Sequence, residues 1–402
     1  MSSAVQPEST VRADQGPDPL AVVRGFDIYD SDTAQALDEV LDVARRGCPV
    51  AHSEANGGYW LLTRYADVVE VLGDDERFSS RGGKSIPSRQ FLEMPPLDSD
   101  PPEHRAYRRL LNRFFSKGGL AQYEPAIREL ARALVDRFAD AGRAEILGDF
   151  AGPLTGAVLC RVILDLDDQE LMTQAQLRVQ RISEENTPEA WMELTGFLRE
   201  LVSGRPRGRD DVLDAVLGGS IEGRPLTEEE KLGVLIVLFL GGLDTTRGAI
   251  SCIVAHLART PGLEDRLRSS DWVRTDLDEF LRHDSVVTGL ARTVTRDTEL
   301  GGELLRAGEK ILVHYYAANH DPEQFPEPDR LDFDRGRNPH VAFGVGIHRC
   351  LGSNLARLQI RVAFEELLAT VRDIRFADGV EPRFAAGVAR QPERLDVTFE
   401  RV

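Results

Sequence analysis

Cysteine is scarce in this chain. Four occur in 402 residues, at Cys48, Cys160, Cys252 and Cys350. They form no Cys-x-x-Cys pair and no zinc spacing, so nothing resembles a disulfide framework, and a reducing cytoplasm fits best. Positive charge is also short: 49 Lys and Arg face 67 Asp and Glu, a formal net charge of −18. That excludes nucleic-acid binding, which needs a basic footprint, and makes any local basic patch more informative. The opening residues, MSSAVQPESTVRADQGPD, lack the apolar stretch of a signal peptide. The longest apolar run, Leu232 to Leu243, is too short to span a bilayer and reads as buried helix. Internal repeats, low-complexity linkers and nucleotide or flavin fingerprints are missing as well.

What is present is core. Hydrophobic residues make up 42% of the chain, which excludes wholesale disorder. Residues 1–24 read as a disordered lead and 25–402 as one large domain, mainly α with a minor β part. Residues 59–74 begin as a strand and continue as a helix. The stretch Gly82 to Pro102 is a long Gly-, Pro- and Ser-containing loop, a length that in a compact domain is usually functional. Asp100 is expected to cap the next helix, with Pro101 and Pro102 in its first turn. That helix carries Arg105, Arg109 and Arg113 at i, i+4 and i+8, with Lys117 beyond, a basic face in an acidic protein. Two helices flank 183–190. Thr227 and Glu230 then form a capping box that opens a helix of about thirty residues, apolar nearly all round and so buried through the core. Short strand signals follow within 291–318, and a last helix begins near Leu351.

The stretch FGVGIHRCLG, Phe343 to Gly352, sits just before that last helix. Gly344 and Gly346 permit backbone conformations closed to other residues, and Gly352 allows close backbone approach. Amides and the dipole at a helix N-terminus stabilise a thiolate at Cys350. One thiolate cannot build a zinc site. A nucleophilic cysteine needs a base nearby, and His348, two residues away, points elsewhere in an extended segment. A lone cysteine is more often a small buried hydrophobe, but a thiolate so presented can also serve as the single axial ligand of a haem iron.

Here the chain resembles the cytochrome P450 family of haem-thiolate monooxygenases, whose F-G-x-G-x-H-x-C-x-G signature is matched by Phe343, Gly344, Gly346, His348, Cys350 and Gly352. A Cys thiolate is the axial ligand in those enzymes, where it favours O–O cleavage. The resemblance implies haem b bound between the long central helix and the cysteine loop, with Cys350 as ligand, Phe343 beside the sulfur and His348 at a propionate. Gly241, Gly242, Asp244 and Thr245 are similar to the family's G-x-D-T element, where the helix opens beside the haem. Carried over, Gly241 borders the haem, Thr245 bonds dioxygen and Asp244 relays protons. Glu279 and Arg282 match its E-x-x-R, and Arg330 is expected to complete a structural triad. His104, Arg108, Arg292 and His348 are the implied propionate partners. Val286 stands where proline is frequent. Arg247, three residues after Asp244, is unusual and is expected to pair with that acid.

The implied reaction is oxygen insertion into a C–H bond of an apolar or amphipathic small molecule, with O2 as co-substrate. Electrons come from a separate ferredoxin with its reductase, expected to dock on Arg105, Arg109, Arg113, Lys117 and Arg349, near Arg357. The expected substrate contacts are Phe91, Leu92, Met94, Trp191, Leu238, Val287, Thr288, Leu290, Val388 and Ala389. The chain is expected to be a cytoplasmic monomer with no nucleic-acid or membrane partner. Two alternatives stay open: a peroxygenase on the same fold, and a non-catalytic haem-binding or gas-sensing protein.

Overall fold

The computed structural model describes residues 19–402 apart from 89–90, 167, 204, 206–207, 270–271 and 273–275. Helices account for 55% of the chain and strands for 13%, as the sequence patterning expects. The lead expected over 1–24 falls outside the described residues up to 18. Its last part differs from expectation: Pro19–Arg24 is helical, and Val23 is buried with Phe26 and Leu41 because the segment has apolar residues to contribute.

The central helix, Glu228–Arg259, organises the rest. Thr227 Oγ1 accepts from Glu230 N at 3.2 Å and Glu230 Oε2 accepts from Thr227 N at 2.7 Å, so the capping box forms. Thirty-two residues give a rod about 48 Å long. Helices Gly152–Ala157, Gln169–Glu185, Pro188–Ser203 and Ser353–Thr370 pack around it. Leu235, Phe239, Ile250 and Val254 are fully enclosed, and each such side chain contributes about 1.5–3 kcal/mol relative to exposure. Among the described residues this helix alone is long and apolar enough to cross a membrane, and 67% of its apolar window is buried inside the protein.

A five-stranded sheet lies to one side, in the order Val50–Ser53, Tyr59–Leu62, Lys310–His314, Gly289–Val294, Phe78–Ser79. Only the Tyr59–Leu62 and Lys310–His314 pair runs parallel. The pairing of Leu290 with Val313 fixes which residues of that edge face the centre of the molecule. A bridge between Val287 and Ala389 brings a C-terminal turn against the same wall.

Two expectations need correction. Asp100 does not cap the basic helix Glu103–Phe115 with its side chain. Its carboxylate accepts instead from Ser79 Oγ at 2.5 Å and Ser80 N at 2.9 Å, and only its carbonyl accepts from His104 N. Arg330 is not the third member of the buried triad. Its side chain is 60% exposed and pairs with Glu327 and Asp332 at the surface. Arg335 takes that place, with Nε 3.2 Å from Glu279 Oε2 and the side chain 8% exposed. Arg282 completes the cluster through Nε and Nη2, at 2.9 and 2.8 Å from the same carboxylate. The lock pins the Arg330–Asn338 segment, which leads into the cysteine loop, because Glu279 also accepts from Asp332 N and Asn338 Nδ2.

Candidate active site

The cysteine loop is held in shape by its backbone. Gly344 and Gly346 have φ of 68° and 71°, a region where side chains are costly. A Cβ on Gly346 would also lie 2.7 Å from Leu72 O. Cys350 N donates to Phe343 O at 2.8 Å and closes the loop. The last helix starts at Ser353, two residues later than expected, with Gly352 as its cap. The Gly352 and Ser353 N–H groups reach the sulfur, and Arg108 and Arg349 add positive potential. Burial nevertheless dominates and raises the thiol pKa. Cys350 itself opens onto the cavity, where a metal cation would favour the thiolate. Phe343 stands beside it with Arg357 Cζ 5.2 Å from its ring centroid.

A cationic corner adjoins the sulfur. The rings of His104 and His348 lie 4.3 Å apart. Both His104 nitrogens are buried without a partner. His348 Nε2 is 3.0 Å from Ser80 Oγ. Burial, then Arg108, pushes His104 down to about 4. Burial, then Arg292, His104 and Arg108, pushes His348 down to about 3. Arg108 donates to Arg349 O at 3.0 Å and Arg292 to Ala291 O at 2.8 Å, each leaving further N–H groups. Buried donors without acceptors, gathered beside two arginines, fit a dianionic group such as a pair of propionates.

Across the cavity from the sulfur runs the middle of the central helix, α-helical without a break from Glu228 to Arg259, so the opening expected there is absent from the backbone. A Cβ on Gly241 would meet nothing within 4 Å, and Thr245 Oγ1 donates to Gly241 O at 2.9 Å. Gly242 serves packing instead, since its Cβ would touch Leu159 at 3.0 Å. Asp244 is buried; its Oδ1 accepts from Arg247 Nη2 at 2.7 Å and from Gln391 Nε2 at 2.8 Å, while Oδ2 has no partner. The expected Arg247–Asp244 pair is thus formed, and Gln391 is a partner the sequence reading missed.

These groups line one cavity of about 320 Å³. Cys350, Phe343, Gly344, Gly352, His348, His104 and Arg108 border it from one side. Gly241, Asp244, Thr245 and Leu238 border it from the central helix, and Val287, Leu290, Val388 and Ala389 from the wall. Five expected substrate contacts lie elsewhere. Phe91 is 53% exposed to solvent, and Leu92 and Met94 pack into the principal core. Met94 O accepts from Leu97 N in a turn, so Leu97 faces the cavity instead. Trp191 lies in the core behind Asn186, which accepts from its Nε1, and Thr288 Oγ1 is spent on Gly387 O. Lys84, Tyr29 and Asn186 are liners the sequence reading missed. On the outer face Arg105, Arg109, Lys117 and Arg349 are exposed, whereas Arg113 pairs with Asp210 at 2.7 Å and Arg357 with Asp278.

A cysteine sulfur and a glycine-bearing helix face on one cavity, with the unpartnered His104 ring and Arg108 at its border, are the setting of a haem-thiolate site. Residues 273–399 match the family model for cytochrome P450. Cytochrome P450 109 of Bacillus spizizenii is 30% identical over 376 residues, 89% of this chain and 91% of that protein. The chain belongs to the cytochrome P450 family. Steroid C26-monooxygenase of Mycolicibacterium smegmatis is 30% identical over 85% of this P450 and 88% of its own length. Linalool 8-monooxygenase of Pseudomonas putida is 31% identical over 86% and 91%. The crystal structure of cytochrome P450 CYP101C1 superposes with a TM-score of 0.84 at 27% identity, covering 96% of this chain and all 100% of that one. That of CYP109E1 from Bacillus megaterium, in complex with testosterone, gives 0.83 at 26% identity over 92% and 99%. The protein is accordingly a P450 oxidoreductase of a family that uses haem b, a cysteine thiolate and O2.

Proposed function

We propose that this P450 hydroxylates, or otherwise oxidises, an apolar or amphipathic small molecule, using electrons from a separate ferredoxin and its reductase in the cytoplasm. The carrying observation is that Cys350, the His104–Arg108–His348 corner and the Gly241–Thr245 stretch all line one cavity. In this reading Cys350 would supply the thiolate that holds the haem iron. His104, Arg108, Arg292 and His348 hold the propionates, and Phe343 shields the sulfur. When bound, the haem supplies reductive activation of dioxygen and insertion of one oxygen atom into substrate.

The chain's own part is positioning and proton supply. The Thr245 hydroxyl, donating to Gly241 O, has lone pairs free and can turn its hydrogen toward a cavity ligand. Asp244 Oδ2, unpartnered and buried one residue away, is the atom left to take up and give protons. Arg247 and Gln391 fix the other oxygen and so the direction in which Oδ2 points. Arg247 also restrains the acid until the site is engaged. The apolar wall excludes water and accepts hydrocarbon, in keeping with the steroid and linalool named for two relatives. Exposed Arg105, Arg109, Lys117 and Arg349 steer an acidic ferredoxin to the cysteine side despite the net charge of −18.

The test is turnover with a surrogate ferredoxin and reductase, measured as substrate-dependent oxygen uptake and product, beside turnover driven by hydrogen peroxide. Reductase-driven product in excess supports the reading. Peroxide-driven product in excess replaces it with the peroxygenase, and no product on either route, with a spectral response to gas ligands, leaves the sensor.

A further inference from the structure

The proton-supply and haem-holding groups leave two charged liners unused, Asp284, which pairs with His256 Nε2 at 2.8 Å, and Lys84. Lys84 borders the cavity beside Tyr29 and Asn186. Its backbone is fixed, since Ala291 N donates to Lys84 O at 2.7 Å and ties the loop to the strand Gly289–Val294. Its Nζ stands 5.7 Å from the Trp191 ring centroid, within the range at which an indole face attracts a cation. The neighbouring polar groups orient one another. Trp191 Nε1 donates to Asn186 Oδ1 at 3.0 Å, and Asn186 Nδ2 donates to Tyr29 Oη at 3.3 Å and Pro87 O at 3.2 Å. Tyr29 Oη accepts from Asn186 and has the Ser85 side chain as a second hydrogen-bonding neighbour; burial pushes its pKa up to about 12, so the phenol hydrogen is present at neutral pH.

No ion pair joins Lys84 Nζ to a carboxylate among the described residues. Burial lowers its pKa, and the opposing charges that reach it are those of Asp98 and Asp244. Lys84 is half-buried, so its ammonium is partly withdrawn from water with no carboxylate in contact, and an anion bound beside it offsets that cost. The apolar liners of the same cavity include Leu97, Val237, Leu240 and Val388.

We propose that Lys84, with Tyr29 and Asn186 beside it, is an anion subsite, and that the substrate is an apolar organic acid whose carboxylate pairs with the Lys84 ammonium. The inference rests on the monooxygenase reading and narrows its substrate class. The carboxylate accepts from Nζ and from the Tyr29 hydroxyl, and the hydrocarbon remainder lies along the apolar wall.

The test uses the ferric holoenzyme and matched acid–amide pairs on three skeletons: decanoate and decanamide, 4-phenylbutanoate and its amide, adamantane-1-carboxylate and its amide. Affinities are measured by equilibrium dialysis, so binding is read whether or not it moves the spectrum. The wild type is expected to bind the acid at least about tenfold more tightly than the amide on one skeleton or more. Lys84→Gln should abolish that preference and Lys84→Arg should retain it. A wild type that favours no acid over its amide overturns the subsite, as does a preference that survives Lys84→Gln. If Lys84→Gln does not fold, the wild-type comparison and Tyr29→Phe, which should reduce the preference severalfold, decide the matter. The reduced carbon monoxide spectrum of each variant separates the two readings: loss of the subsite leaves it unchanged, whereas failure of the haem-thiolate reading removes it in the wild type too.

Discussion

Replacing Arg335 and Arg330 in turn tests the account of the lock behind the cysteine loop. Glu279 is 1% exposed and receives two bonds from Arg282, two longer ones of 3.2 and 3.4 Å from Arg335 Nε, and one of 3.0 Å from Asn338. Arg335→Ala leaves the Glu279–Arg282 pair balanced, so no lone charge is stranded. It removes a charge-assisted hydrogen bond, worth about 1.5–3 kcal/mol, together with the donor to Pro326 O and the stacking over Phe325. A loss of about 2–4 kcal/mol follows, or ~30-fold to ~800-fold in the folding equilibrium. Glu279→Gln leaves two buried guanidinium groups without their anion and belongs in the range of about 3–5 kcal/mol. Arg330 pairs only at the surface, where exposed ion pairs contribute about 0–1 kcal/mol, so Arg330→Ala should change little. Because a haem protein of this size often unfolds irreversibly, the assay pairs urea unfolding followed by far-ultraviolet ellipticity with the half-life of haem loss. The expected order of damage is Glu279→Gln, then Arg335→Ala, then Arg330→Ala. An Arg330→Ala variant as damaged as Arg335→Ala would refute the reasoning.

Asp244→Asn should lower kcat by about 10²-fold or more, the scale of a lost proton-transfer group, while substrate binding holds; unchanged kcat removes Asp244 from proton supply. Thr245→Ala should release more hydrogen peroxide per electron pair consumed, read by peroxide assay against product. Arg109→Glu should slow reduction by an acidic ferredoxin more than Arg113→Glu does, because Arg113 already pairs with Asp210, and added salt should shrink the difference; equal rates at low salt reject the docking face. In haem-free protein the His104 pKa lies below its ordinary 6.5, at about 4. The unfolded chain therefore binds the proton first, and stability present above 6.5 is lost as pH falls toward about 4. His348, held down to about 3, and His314 act in the same direction, so His104→Gln should make that part of the urea-midpoint profile shallower without levelling it, and an unchanged slope would contradict the burial of His104.

The features legible in the sequence are the ones set by local chemistry. The capping box at Thr227 and Glu230 needs only residues three apart, and the glycines around Cys350 announce a backbone that other residues cannot adopt. The features that escaped are contacts made across the chain. Gln391 meets Asp244 over a separation of 147 residues. Arg335 and Arg330 flank the same turn, and both could reach Glu279 on spacing alone; only the path of the chain decides which is buried. The loop at Met94 reverses direction within a few residues, so apolarity could not tell the core-facing Met94 from the cavity-facing Leu97. Lys84 escaped for a related reason, since an isolated lysine in a long loop reads as solvated until the cavity beside it is seen.

The most direct measurement is the visible spectrum of the reduced, carbon monoxide-bound holoprotein, compared with that of Cys350→Ser. The wild type is predicted to show the red-shifted Soret band that a thiolate opposite carbon monoxide produces. The serine variant, with the same loop and the same cationic corner, is predicted to lose that band or move it to shorter wavelength. An unchanged Soret position in Cys350→Ser would mean that the sulfur at this position does not bind the iron.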